Sequence, residues 1–151
     1  MSLYKDILKE ALDIIQSESS AKDKMQVICD LLEDQIEHYD WVGFYLSDVE
    51  RRLLHLGPYT GEKTDHTTIP YGKGICGQAA ETEKTFLIDD VSAESNYISC
   101  SIHINSEIVV PIKKEGIVVG QIDIDSDKVA AFTAADQELL ENICAELAPY
   151  I

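Results

Sequence analysis

Apolar side chains recur every three or four residues towards both ends of the chain and every second residue through its middle. Leu3, Ile7, Leu8, Ala11, Leu12 and Ile15 fall on one helical face, which predicts an amphipathic helix over residues 2–17. Met25, Ile28, Leu31, Leu32 and Ile36 mark the buried side of a second helix over 21–37. Thr133 is a good N-cap with Asp136 and Gln137 in the turn that follows, and it opens a third helix running through Leu139, Leu140, Ile143 and Leu147. Between the helices the period shortens. WVGFYLSD (41–48) is aromatic and β-branched, RRLLHLGPYTG reads as its hairpin partner, and TFLIDD near 85–90 is a short strand. EIVVPIKKEGIVVGQIDIDS (107–126) is the clearest hairpin, joined at Lys114, Glu115 and Gly116, and a short helix is expected from near Gly74 to Thr82. The pattern predicts an α+β fold, an antiparallel sheet with helices packed on a face.

A chain of 151 residues, 45% hydrophobic and 26% charged, fits one soluble domain, residues 1–151, with one core. The net charge of −16 repels phosphate and anionic lipid, which excludes nucleic acid and the membrane surface as partners. No apolar run approaches the roughly 20 residues that cross a bilayer. MSLYKDILKEALDIIQ alternates charge with hydrophobicity, unlike a secretory signal, so a cytoplasmic location is the expectation. The four cysteines form no C-x-x-C pair, and a structural disulfide framework is not expected. Cys29 and Cys144 fall beside apolar helical stripes and read as packing. Cys76 sits in the glycine-rich turn PYGKGICGQ and Cys100 in the polar stretch NYISCSIHINSE, and loop thiols of this kind point to chemistry.

Along QIDIDS the strand period sends Asp123 and Asp125 to one face and Ile122 and Ile124 to the other. Glu107 opens the partner strand, so the hairpin brings a third carboxylate towards them. Two readings stay open: a wet sheet face, or a site where a cationic group or a shared proton relieves the repulsion. His66, Cys76, Cys100 and His103 offer only one close ligand pair, Cys100-x-x-His103, and no metal site is expected. The YGKGICG turn has neither Walker nor Rossmann spacing, although its backbone N–H groups at a helix start suit a carboxylate.

The chain resembles the free methionine-(R)-sulfoxide reductases, single-domain enzymes of the GAF superfamily. The resemblance runs through WVGFYL (41–46), LGPYTG (56–61), IPYGKGICG (69–77), C-x-x-x-x-NSEIVVPI (100–112), GQIDIDS (120–126) and the FTAADQELLE helix. It implies a GAF-like central antiparallel sheet of about six strands, flanked by N- and C-terminal helices. It also implies reduction of the free amino acid without a cofactor. By motif, Cys100 matches the catalytic cysteine and Cys76 the resolving partner. Glu107, Asp123 and Asp125 match the substrate-site carboxylates, and Trp41 and Tyr45 match the aromatics lining that site. Many members carry a third cysteine where this chain has His66, which makes this a two-cysteine variant. A thioredoxin-like reductant and a homodimer joined by the N-terminal helices follow from the same resemblance. The competing expectation is a GAF sensor module that binds a small ligand without chemistry.

Sulfoxide reduction by a thiol needs a nucleophilic sulfur and a proton for the departing oxygen. An ordinary thiol of pKa ~8.5 is only a few per cent thiolate at neutral pH, and nearby carboxylates raise that pKa further. A helix N-terminus contributes only about 0.3–1 kcal/mol, less than one pKa unit. Activation of the sulfoxide by a carboxyl proton is therefore expected in place of a resting thiolate.

Overall fold

The structure, a computed structural model, describes residues 2–97 and 103–151. Two helices, α1 (Ser2–Gln16) and α2 (Ala21–Gln35), lead into the antiparallel strands β1 (Trp41–Asp48) and β2 (Leu53–Thr60). The short strand β3 (Thr68–Pro70), helix α3 (Gly74–Thr82) and strand β4 (Phe86–Ile88) follow. The long hairpin of β5 (Ser106–Lys114) and β6 (Ile117–Ser126) then runs into the C-terminal helix α4 (Ala134–Leu147). The strands form one sheet in the order β3-β2-β1-β6-β5-β4, so β6 lies inside the sheet between β1 and β5.

Local chemistry sets the helix ends. Ser20 accepts a hydrogen bond from the Asp23 N–H (3.1 Å) at the start of α2. The Asp136 carboxylate accepts from both the Thr133 N–H (2.8 Å) and its hydroxyl (3.1 Å) at the start of α4. The second helix ends at Gln35, short of the expected 37, because Ile36 turns to extended backbone and the chain carries Tyr39 into the core. Lys24 is buried, and its ammonium donates to the carbonyls of Ile15 (2.5 Å) and Ser17 (2.8 Å) at the C-terminal end of α1. A cation there offsets the helix dipole by about 0.3–1 kcal/mol.

The two faces of the sheet differ in chemistry. Val42 and Phe44 of β1, Ile108, Val110 and Ile112 of β5, and Ile122 and Ile124 of β6 point to one face. There they pack against Ile7, Ile15, Ile28, Leu32, Leu140 and Ile143 of α1, α2 and α4. Each such side chain contributes about 1.5–3 kcal/mol by leaving water. Cys29 and Cys144 lie fully inside this core, and burial raises both thiol pKa values, as their packing role requires. The opposite face carries a smaller cluster of Trp41, Tyr45, Leu54, Ile69, Ile75, Cys76 and Val109 beneath α3. β3 was not expected from the sequence. Three residues ending in Pro70 give no alternation to read, and proline fits this strand because it lies at the sheet edge. Among the described residues, no helix is long and apolar enough to cross a membrane.

Candidate active site

The site is built on the small-cluster face of β1, β6 and β5. Register places Trp41 beside Asp125 and Asp125 beside Glu107; one row along, Gly43 lies beside Asp123 and Asp123 beside Val109. A third row pairs Tyr45 with Gln121. Glu107 opposes Asp125 only because the β5/β6 ladder shifts register between Ile112 and Lys113. Without that shift, pairing continued from Lys114 and Ile117 would set Glu107 opposite Ile124, on the other face.

This face is not wet. Asp123, Asp125 and Glu107 are 1%, 2% and 5% exposed, so the solvated-face reading does not hold. Glu107 lies opposite Asp125 across the β5/β6 ladder, and one of its carboxylate oxygens comes within 4.8 Å of one from Asp123. Carboxylates this close repel one another unless a proton is held among them, and burial supplies the drive to hold it. Burial raises the pKa of Asp123. Burial, followed by the Asp123 charge, pushes Asp125 well above the ordinary carboxylate value.

Aromatic rings close the Trp41 side. The indole of Trp41 lies across Gly43, stacks on Tyr59 (centroids 5.4 Å apart) and donates its Nε1–H to the Glu62 carbonyl at 2.9 Å. Tyr45 is fully buried and donates its hydroxyl to the His66 carbonyl at 2.9 Å. His66 therefore stands at the edge of the same site.

α3 supplies the thiol. Cys76 lies in its first turn, 5% exposed, and not in an open loop as its glycine-rich setting led us to expect. Its Sγ stands 4.0 Å from Glu107 Oε2. Burial first, and then the charges of Asp123 and Glu107, push this thiol well above the usual value, so it rests protonated. Gly77 makes the placement possible. A Cβ there would sit 2.6 Å from the Pro70 carbonyl oxygen, so only glycine lets α3 dock this closely on the preceding turn. Of the N–H groups expected at this helix start, that of Gly74 donates to Asn96 Oδ1 at 2.9 Å. Gln121, a residue the sequence reading passed over, is fully buried and donates Nε2–H to the Cys76 carbonyl at 3.2 Å. Its signal was present: Gln121, Asp123 and Asp125 share one strand face at period 2.

Two hollows adjoin the carboxylates. A small one of about 10 Å³ is lined by Tyr45, His66, Ile75, Cys76, Glu107 and Asp123 among others. A larger one of about 280 Å³ is lined by Trp41, Asp125, His103, Ile104, Asp40 and Asp127 among others. Each of the five site residues Trp41, Tyr45, Glu107, Asp123 and Asp125 thus borders one of them. His66 and Cys76 border the small hollow and His103 the larger one, so the loop residues weighed as a metal set divide between the two. Cys100 lies outside the described residues.

Comparison with known proteins follows the same lines. The family model described as GAF domain matches residues 18–151. Free methionine-R-sulfoxide reductase of Escherichia coli (strain K12) is 33% identical over 144 residues, 95% of this chain and 86% of that protein. The structure of free methionine-R-sulfoxide reductase from Neisseria meningitidis in complex with its substrate superposes with a TM-score of 0.93 at 32% identity. That match covers 99% of this chain and 88% of the other. The type II free methionine-R-sulfoxide reductase from Thermoplasma acidophilum matches with a TM-score of 0.83 at 40% identity, over 86% of this chain and 91% of the other.

Proposed function

The chain belongs to the GAF domain family and, within it, to the free methionine-R-sulfoxide reductases, and from that premise we propose how its residues reduce free L-methionine (R)-sulfoxide. The observation that carries the reading is the dry carboxyl trio, with Glu107 set against both aspartates, Glu107 and Asp123 bordering the small hollow and Asp125 the larger one.

Cys100 is the nucleophile. Its sulfur takes the sulfoxide oxygen while a carboxyl of the trio protonates that oxygen, and the thiol proton returns to the carboxylate. Methionine leaves and a sulfenic acid remains on Cys100. General acid catalysis of this kind contributes about 10²–10⁴-fold. Glu107, Asp123 and Asp125 divide the two tasks of proton donation and holding the substrate ammonium. Trp41 and Tyr45 enclose the side chain and S-methyl group.

The Cys76 thiol then attacks the sulfenic sulfur, water departs, and a Cys76–Cys100 disulfide forms. Because the Cys76 thiol rests protonated, it must surrender its proton to Glu107 or Asp123 as it attacks. A thioredoxin-like dithiol reopens the disulfide. No cofactor enters this cycle, and self-association through α1 belongs to the same reading.

The test is turnover of free R and S epimers with dithiothreitol and then with thioredoxin, on the wild type, Cys100→Ser and Cys76→Ser. The expected result is activity on the free R epimer alone, none in Cys100→Ser, and thioredoxin-dependent turnover lost in Cys76→Ser. Equal rates on a methionine sulfoxide residue within a peptide would overturn the free-substrate reading. A stoichiometric complex with no consumption of reductant would replace the enzyme with a sensor.

A further inference from the structure

The small hollow between α3, β5 and β6 has room for about one water-sized body, too little for an amino acid. Three donor atoms converge on it. Cys76 Sγ and one carboxylate oxygen each from Glu107 and Asp123 lie within 4.8 Å of one another, and all three residues are buried. Asp123 Oδ1 is buried and has no hydrogen-bond partner among the described residues. A buried carboxylate oxygen is ordinarily saturated with donors, so this one has spare capacity for a ligand.

We propose that Cys76, Glu107 and Asp123 bind a single divalent cation of the Zn²⁺ class. The donor set selects the ion: one sulfur with two oxygens suits borderline-soft Zn²⁺, whereas Mg²⁺ and Ca²⁺ require more ligands, all oxygen. Zn–S of about 2.3 Å and Zn–O of about 2.1 Å set ligand atoms about 3.5 Å apart in a tetrahedron. The observed Sγ–Oε2 separation of 4.0 Å and the 4.8 Å limit on the trio need only small side-chain adjustments to reach that geometry. On binding, the thiol proton and the proton shared by the carboxyls leave, and a dication replaces them among three negative ligands. Three protein ligands leave a fourth position open to water. The site stands on this geometry alone. That the ion inhibits reduction, by occupying Cys76 and two of the carboxylates, rests on the function proposed above.

The test uses the reduced, metal-free full chain in a non-thiol reductant, titrated with Co²⁺ and then Zn²⁺. Wild type and Cys100→Ser should each bind one equivalent of Co²⁺ with a thiolate-to-cobalt charge-transfer band that Zn²⁺ abolishes. Cys76→Ser and Cys76→Ala should lack the band, and Asp123→Asn should weaken Zn²⁺ binding by more than about tenfold. Circular dichroism identifies any variant that has lost its fold, and the wild-type and Cys100→Ser spectra decide without the others. No band in the wild type, a band that survives loss of Cys76, or one lost only in Cys100→Ser would overturn the proposal. Metal binding is read without turnover, so its failure leaves the reductase reading untouched, and an inactive protein with an intact cobalt band sinks only that reading.

Discussion

Adding one methyl group at Gly43 tests the aromatic wall directly. An alanine Cβ at this position would lie 2.3 Å from Trp41 Cη2, 2.5 Å from Cζ3 and 2.9 Å from Tyr59 Cβ. Ordinary carbon–carbon contacts lie at about 3.5–4.0 Å, so the indole must move by about 1 Å or more, or the strands must part. Keeping the ring in place means overpacking, which costs about 1–3 kcal/mol. Releasing it loses the Nε1–H bond to Glu62 and the Tyr59 stack, about 0.5–1.5 kcal/mol each. Both routes arrive at about 1–3 kcal/mol, which for a chain of this size lowers Tm by about 2–4 °C per kcal/mol. Because Trp41 borders the larger hollow beside Asp125, on the substrate-enclosing side of the proposed site, Gly43→Ala should raise KM for the free sulfoxide more than it lowers kcat. Urea unfolding and steady-state kinetics read both effects. Unchanged stability together with unchanged KM would refute the claim that Gly43 exists to seat the indole against the substrate.

Two further outcomes follow from the packing. Gly77→Ala forces α3 off the Pro70 carbonyl, so differential scanning calorimetry should show a loss of about 1–3 kcal/mol, and thioredoxin-dependent recycling should weaken as Cys76 moves from Glu107. Asp136 caps α4 and accepts hydrogen bonds from Tyr4 (2.6 Å) and Tyr39 (2.7 Å). Burial raises its pKa, but these bonds and the Thr133 N–H outweigh burial and hold it below the ordinary carboxylate value. A carboxyl lowered in the folded state stabilises the fold above its unfolded pKa of about 4, and that contribution is lost as pH falls through the lower folded value. Asp136→Asn should therefore cost about 1–3 kcal/mol at neutral pH and flatten the acid limb of the stability profile, measured by urea titration at several pH values.

The long hairpin was legible because two Val/Ile-rich runs flank the Lys114-Glu115-Gly116 turn and QIDIDS alternates at its end, and the capped start of α4 because Thr133 and Asp136 are spaced for it. The faces of Asp123 and Asp125 were legible for the same reason. The pairing of Glu107 with Asp125 was legible only in outline, since the register shift after Ile112 leaves no mark in residue types. Whether the acidic face is dry was not legible at all. That depends on α3 and its preceding turn lying over the sheet, a tertiary contact permitted by the missing side chain of Gly77. The same contact turns Cys76 from an expected loop thiol into a buried one, and sets Gln121 against its carbonyl.

The most direct trial of the shared-proton carboxyl trio is kcat/KM for free L-methionine (R)-sulfoxide in Asp123→Asn and Glu107→Gln, with circular dichroism and Tm recorded alongside. A fall of at least about 10²-fold in both, with the fold retained, is the expected result. Wild-type kcat/KM in both folded variants would contradict it.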